Sequence, residues 1–236
     1  DELVDRLLNA VSPREARRIA GRMTLYQATD AGQGLIDEYK AFQKQERKTA
    51  EGAAKEALLA GDYEQAALTI SAYEAKQPFE RGMWIGIGDT GSVWGPDRHP
   101  FRVSALQEMM TLRPWFLDGL TDDECAQIQI AAAMSVLCGE RPARFGRGIQ
   151  LTSPTRFEPK WLVNMQSSYA LNRYTLRELQ GVVGVVTTTT CNDQYVCASC
   201  KRMSERRFPL RQAPELPSPE CTSETGCRCW YLPVID

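Results

Sequence analysis

The sequence contains little histidine and almost no net charge. Only one histidine, His99, occurs among 236 residues, which disfavours a metal centre built from several imidazoles. The 28 Lys and Arg residues nearly balance the 30 Asp and Glu residues, and the formal net charge is -2. The whole chain therefore has no general attraction to nucleic acid or to an anionic membrane. Any such binding must depend on a local patch.

Long apolar runs are also missing. No stretch approaches the roughly 18 consecutive apolar residues that a membrane span requires. The acidic start, Asp1-Glu2, lacks the basic segment that precedes the apolar part of a signal peptide. We expect no contact with a membrane and a cytoplasmic location. In that reducing compartment, clustered cysteines are more often metal ligands than disulfides.

The remaining composition is that of a folded protein, with 43% hydrophobic and 25% charged residues. Helical spacing of apolar residues predicts a mostly α fold that ends in a small α+β zinc-binding module. We place a predominantly helical body at residues 1–158, with a Gly-, Pro- and Trp-rich connection at 78–101. A helix, a strand and the cysteine-rich module follow at 159–236.

Capping patterns locate several helices within this body. Capping boxes begin at Ser12, Ser104 and Thr121, and Pro159 precedes a further helix to about Gln180. A helix from about Leu35 to Ala60 is interrupted at Gly61-Asp62, and the next begins at Tyr63, which predicts an αα-hairpin. Residues 141–155 are expected to form a basic loop. The β-branched run at 182–190 predicts a strand.

The cysteines carry the clearest chemical signal. Of the eight, Cys125 and Cys138 lie on an apolar helix and are interpreted as small buried hydrophobes. Two groups about 20 residues apart have the spacing of a structural zinc site. We expect four ligands from five candidates, and Cys191 is expected to lie outside the metal's ligand shell. The five are Cys197, Cys200, Cys221, Cys227 and Cys229. One of the last two is expected to be the fourth ligand, and the other to be packed or also bound.

Two other interpretations of these cysteines are considered. A disulfide pair is disfavoured by the expected compartment. A redox Cys-x-x-Cys motif needs a thioredoxin-like βαβ context, which the flanking sequence lacks. Because four or five thiolates leave no open position for water, the spacing favours a closed structural site over a catalytic one.

The same residues resemble a known family. The Cys197-x-x-Cys200 motif, Phe208, Cys221 and the Cys227-Arg228-Cys229 ending resemble the C-terminal domain of phage Mu-type minor head, or head-morphogenesis, proteins. The resemblance covers about residues 164–236. Ser218 stands where that family has histidine. The resemblance implies a role in head assembly through portal, scaffold or DNA, and hence a protein partner, with nucleic acid as an alternative.

A basic segment lies beside the motif. Five basic side chains against Glu205 give residues 201–211 a local charge of +4, and such a patch can bind phosphates. The alternative is a set of solvated side chains on an irregular loop, since only a stripe on one face makes a footprint. The candidate nucleic-acid-binding residues are Lys201, Arg202, Arg206, Arg207 and Arg211.

One motif suggests an enzyme. Asp89-Thr90-Gly91-Ser92 matches the aspartic peptidase signature, whose carboxylate shares a proton with a second aspartate to activate water. Those enzymes are almost wholly β, whereas helical patterns flank this motif, and Asp and Gly are ordinary turn residues. We expect no catalytic residue here. The sequence favours a non-enzymatic, zinc-stabilised interaction protein, with a nucleic-acid-binding protein and an Asp89 hydrolase as alternatives.

Overall fold

The chain divides into two compact units, Asp1–His99 and Pro100–Asp236. The computed structural model describes residues 30–75, 99–139, 142–191, 193–204 and 206–235. The expected helix at Ser12, most of the 78–101 connection and the Asp89 motif lie outside these residues. The expected boundary between residues 158 and 159 falls inside the second unit. Across the described ranges, no helix is both long and apolar enough to cross a bilayer.

The described part of the first unit is a helical hairpin. Helix α1 spans Asp30–Leu59 and helix α2 spans Tyr63–Ala75, which confirms the predicted break. Gly61 adopts φ +76° in the turn, a conformation that glycine accepts without steric cost. The Asp62 carboxylate then accepts a hydrogen bond from the backbone N–H of Gln65 and caps α2. Buried Leu58 and Ile70 contribute to the core between the helices.

The second unit begins with helices. They are α3 (His99–Thr111), α4 (Asp122–Leu137), the short α5 (Pro142–Gly146) and α6 (Pro159–Glu178). Helix α4 packs on α6 through small residues, where the hydroxyls of Ser135 and Ser167 lie 3.2 Å apart. Each hydroxyl also bonds a backbone carbonyl, so this polar contact is satisfied inside the core. The helical part of the unit is packed through this contact and precedes the cysteine module in the chain.

Glu124 joins the start of α4 to a loop distant in sequence. It forms the predicted capping box with Thr121, and its carboxylate also accepts hydrogen bonds from Thr152 and Ser153. The side-chain bond from Ser153, followed by those from the backbone of Thr121, Ser153 and Thr152, holds the Glu124 pKa well below its usual range. The carboxylate is almost completely buried.

Replacing Glu124 by Gln is expected to make the free energy of unfolding depend less on pH in the acid range. A depressed carboxyl pKa stabilises the fold above the unfolded pKa of about 4.3, and this contribution is lost as pH falls below that value. Urea unfolding at a series of pH values measures it. Wild-type stability should fall more steeply below about pH 5 than that of E124Q. The exposed neighbour Asp123→Asn is the control, and equal slopes in E124Q and wild type would contradict the assignment.

A small antiparallel sheet follows α6. Strand β1 (Val185–Thr189) lies between β2 (Arg207–Pro209) and β3 (Trp230–Pro233). Val186 and Thr188 point into the core, and Val186 pairs with Phe208 and Pro233. The sequence predicted a strand over 182–190, but the β-ladder starts only at Val185 because residues 181–184 form turns that end α6. Helix α7 (Ala198–Met203) lies between β1 and β2 in the chain.

Three sequence interpretations need correction. The capping pattern at Ser104 does not start a helix, because α3 already includes His99, and Ser104 instead accepts a hydrogen bond from Arg177. Residues 141–155 are not loop throughout, since α5 occupies part of them. Cys125 is buried as expected, but Cys138, at the C-terminal cap of α4, is only partly buried.

Candidate metal centre

Local structure brings the first two cysteines together. Cys197 is the N-cap of α7, and its sulfur accepts a hydrogen bond from the backbone N–H of Cys200 at 3.4 Å. One helical turn therefore directs both thiols to the same side. Cys221 ends a turn in which its backbone N–H donates a hydrogen bond to the carbonyl of Ser218. Cys227 and Cys229 come just before β3, so the sheet and α7 place all five thiols near one point.

The spacing of the thiols matches tetrahedral coordination. The sulfur of Cys197 lies 3.8 Å from that of Cys221, and the sulfur of Cys200 lies 3.8 Å from that of Cys227. With a zinc–sulfur bond of about 2.3 Å, the edge of a tetrahedron of thiolates is about 3.8 Å. The thiols form two overlapping groups, one of Cys197, Cys200 and Cys221 and the other of Cys200, Cys227 and Cys229, and the sulfurs within each group lie within 4.8 Å of one another. Cys200 belongs to both groups.

The space among the thiols suits an ion. Cys200, Cys221, Cys227 and Cys229 are each at most 4% exposed, and Cys197 is half-buried. The five sulfurs line a cavity of about 10 Å³, which is roughly the space that one water molecule needs. Among the described residues, only these five cysteines form clusters that can hold a metal ion. No disulfide joins any two of the cysteines that the structure describes.

The thiols strongly influence one another's ionisation. Burial opposes ionisation of Cys197, but hydrogen bonds from the N–H groups of Cys200 and Thr222 and contacts with neighbouring thiols lower its pKa to about 7. The thiols of Cys221, Cys227 and Cys229 raise the pKa of Cys200, whereas hydrogen bonding with Cys200 lowers that of Cys227. The thiols therefore titrate as one coupled group and not as independent cysteines.

Residues from helix α6 and from the turn and loop that precede it in the second unit hold the backbone of the ligand loops. Arg156 donates a hydrogen bond to the carbonyl of Cys221 at 2.8 Å, and Asn172 on α6 donates one to the carbonyl of Cys229 at 3.0 Å. Trp115 bonds the carbonyl of Pro217. These contacts reach across more than 50 residues of chain. These hydrogen bonds therefore join the cysteine module to the preceding part of the second unit.

Gly226 is a further point of close contact. It has φ +73°, and a Cβ there would lie 2.6 Å from the sulfur of buried Met165 on α6. Real carbon atoms do not approach that closely, so the loop bearing Cys227 sits directly against the helix. Only glycine meets both requirements.

Substituting Gly226 by Ala is expected to destabilise the unit by about 2–4 kcal/mol, because left-handed strain and overpacking add together. Gly181→Ala is the matched control, since Gly181 has φ +81° and open space around it. The control should lose only about 1–2 kcal/mol. Urea unfolding of both variants measures the difference, and equal losses would show that the contact with Met165 contributes nothing.

An ion pair between Arg228 and Asp193 lies beside the thiol cluster. Arg228 makes two hydrogen bonds to the Asp193 carboxylate, at 2.8 and 2.7 Å, and this pairing holds the pKa of Asp193 below its usual value. The exposed Cys191 sulfur lies 3.7 Å from the carbonyl of Arg228. Cys191 belongs to neither thiol cluster, as the sequence predicted. Ser218, where the resembling family has histidine, accepts a hydrogen bond from the N–H of Glu220.

The five basic residues are exposed but do not form one stripe. Arg202 and Arg206 line a cleft of about 370 Å³ that Glu215 and Glu220 also line. Arg207 lies on strand β2, on the sheet face opposite Phe208. The charges are thus divided between two faces and partly countered by carboxylates, which is unlike a nucleic-acid footprint. The remaining two, Lys201 and Arg211, are on α7 and on the 3-10 turn after β2.

Sequence reasoning missed the groups that support the cluster. Arg156, Asn172 and Gly226 act through backbone contacts with residues distant in sequence, and no local pattern marks them. The chain matches no known family model, no curated protein and no solved structure.

Proposed function

We propose that the five cysteines hold one structural zinc ion and that this ion stabilises a non-enzymatic interaction module. The proposal rests on the two 3.8 Å sulfur–sulfur distances, one in each of the two thiol groups that share Cys200. Four thiolates around one ion form the closed coordination that is typical of structural zinc. The first-choice ligands are Cys197, Cys200, Cys221 and Cys227.

The chemistry of the donors supports zinc over harder cations. Thiolates favour zinc, copper(I) and iron–sulfur chemistry, whereas magnesium and calcium require oxygen ligands. The 3.8 Å spacing of the thiol pairs fits the tetrahedral coordination of zinc. Free thiols in this arrangement also suit a reducing, cytoplasmic location.

X-ray absorption at the zinc edge tests the coordination. We expect a shell of four sulfur atoms at about 2.3 Å with no nitrogen or oxygen neighbour. An oxygen atom in the shell would indicate an open, catalytic type of site and would contradict a structural role. Cys191→Ser protein, which keeps every candidate ligand, is the control and should give the same spectrum.

For the partner, we propose a protein of a phage or prophage head assembly. The support is the resemblance of the Cys197-x-x-Cys200 and Cys227-Arg228-Cys229 spacing to head-morphogenesis proteins. A portal or terminase gene beside the gene for this chain is the expected observation. Genes for unrelated cellular functions on both sides would count against this partner while leaving the metal site untouched.

A further inference from the structure

The cluster contains one thiol more than a tetrahedral ion needs, and its five sulfurs divide into two groups of three. The first group is Cys197, Cys200 and Cys221, and the second group is Cys200, Cys227 and Cys229. Within each group, every sulfur lies within 4.8 Å of the other two. Because both groups contain Cys200, they meet at a single sulfur atom.

Each group has the dimensions of a three-coordinate metal site. The sulfurs of Cys197 and Cys221 lie 3.8 Å apart in the first group, and those of Cys200 and Cys227 lie 3.8 Å apart in the second. Two thiolates at that distance can bind the same ion, because a metal–sulfur bond is about 2.3 Å long. The third sulfur of each group is near enough to complete the site. Three thiolates suit copper(I), a soft ion, whereas zinc takes four ligands.

The surroundings of the sulfurs also suit copper(I). Four of the five cysteines are at most 4% exposed, so water and oxidants have little access to their sulfurs. Among the residues that the structure describes, no carboxylate or imidazole lines the cavity between the thiols. Sulfur atoms are therefore the strong metal donors at this site, and thiolate sulfur is the donor type that selects copper(I).

Contacts from outside the cysteine module hold the two groups separately. Arg156 donates a hydrogen bond to the carbonyl of Cys221 in the first group, and Asn172 donates one to the carbonyl of Cys229 in the second. The shared Cys200 is 2% exposed and lies in the first turn of α7. A thiolate sulfur has more than one lone pair, so the sulfur of Cys200 can bridge two ions.

We propose that the cluster binds two copper(I) ions, one in each group, with the Cys200 sulfur bridging them. The proposal uses the ligands of the proposed zinc site and goes beyond that site in metal and in stoichiometry. Two copper(I) ions carry the same total charge as one zinc ion. When copper replaces zinc, the zinc–sulfur bonds break and each copper ion bonds three sulfurs. The thiol that zinc leaves unbound releases its proton to solvent. No electron is transferred, because the copper is supplied as copper(I).

Anaerobic titration of the purified protein with the acetonitrile complex of copper(I) tests the stoichiometry. A chromophoric copper(I) chelator reports free copper, and elemental analysis after desalting gives the copper and zinc that stay bound. We expect wild type to bind two copper ions per chain and to release its zinc. X-ray absorption at the copper edge should show three sulfur neighbours and a second copper atom close by. One copper ion per chain at saturation, or oxygen or nitrogen neighbours around copper, would overturn the proposal.

Single substitutions separate the two groups. C197S removes a ligand from the first group alone, and C229S removes one from the second group alone. Each variant should therefore bind one copper ion as tightly as wild type and the other on the order of 100-fold more weakly. Cys191→Ser is the control, since it keeps both groups, and it should bind two copper ions tightly. Two tightly bound copper ions in C197S or in C229S would contradict the assignment of the groups.

The results for zinc and for copper are independent of each other. Protein that is purified without zinc but takes up two copper(I) ions would overturn the proposed zinc site and support this inference. Protein that holds one zinc ion but takes up only one copper(I) ion would support the zinc site and overturn this inference.

Discussion

Removing the metal with a strong chelator in reducing buffer is expected to lower the thermal midpoint of the Pro100–Asp236 unit by about 15 °C or more. Binding of structural zinc contributes about 10–16 kcal/mol in small domains, which is comparable with the whole stability of a protein. We expect the cysteine module to depend on the metal ion because the core of the module is small. Four of the seven residues in that buried cluster are cysteines, beside Val186, Leu216 and Tyr231.

The effect should extend into the helices. Arg156 and Asn172 bond the carbonyls of Cys221 and Cys229, so loss of the ligand loops removes partners from the helical part of the unit. Circular dichroism during chelation measures the loss of structure, and added zinc should restore it.

The α1–α2 hairpin provides an internal control. The described hairpin contains no cysteine, and hydrogen exchange of its amides is expected to be unchanged by chelation. An unchanged thermal midpoint of the second unit after complete removal of metal would contradict a structural role for the ion.

Replacing Cys200 by Ser is expected to have the largest effect of any single cysteine substitution. Cys200 belongs to both thiol groups, so no other sulfur can take its place, and its side chain is buried. We expect zinc affinity to fall on the order of 100-fold or more and the purified variant to resemble the metal-free protein. Competition with a chromophoric chelator measures the affinity.

Cys191→Ser is the matched control for that experiment. Cys191 lines the same small cavity but is exposed and outside both groups. Its substitution should change zinc affinity by less than about threefold, in keeping with a surface change. Equal losses of zinc affinity in C191S and C200S would show that the position of a cysteine in the cluster does not determine zinc binding.

The sequence predicted the main helices and the clustering of the five C-terminal cysteines because both depend on local patterns. The capping box at Thr121, the break at Gly61 and the Cys197-x-x-Cys200 turn need only neighbouring residues. Spacing alone left Cys227 and Cys229 as alternatives. In the structure both lie within 4.8 Å of the Cys200 sulfur, and the 3.8 Å distance is to Cys227.

The other features could not be predicted from local patterns. Ser104 matches a capping box, but its place in a helix is decided by packing of α3, and its hydroxyl bonds Arg177 on α6. Gly226 is a residue typical of an ordinary turn. Only the structure shows that Met165 lies close to it. The basic residues at 201–211 are one run in sequence, yet the alternation of β2 separates Arg207 from the cleft that holds Arg206.

The most direct test of the central claim is the metal content of protein purified under reducing conditions. Elemental analysis against protein concentration should give about one equivalent of zinc per chain, since one closed tetrahedral site takes one ion. The C200S variant, prepared in parallel, should contain little. Well-folded, fully reduced wild-type protein with no bound metal would contradict the account.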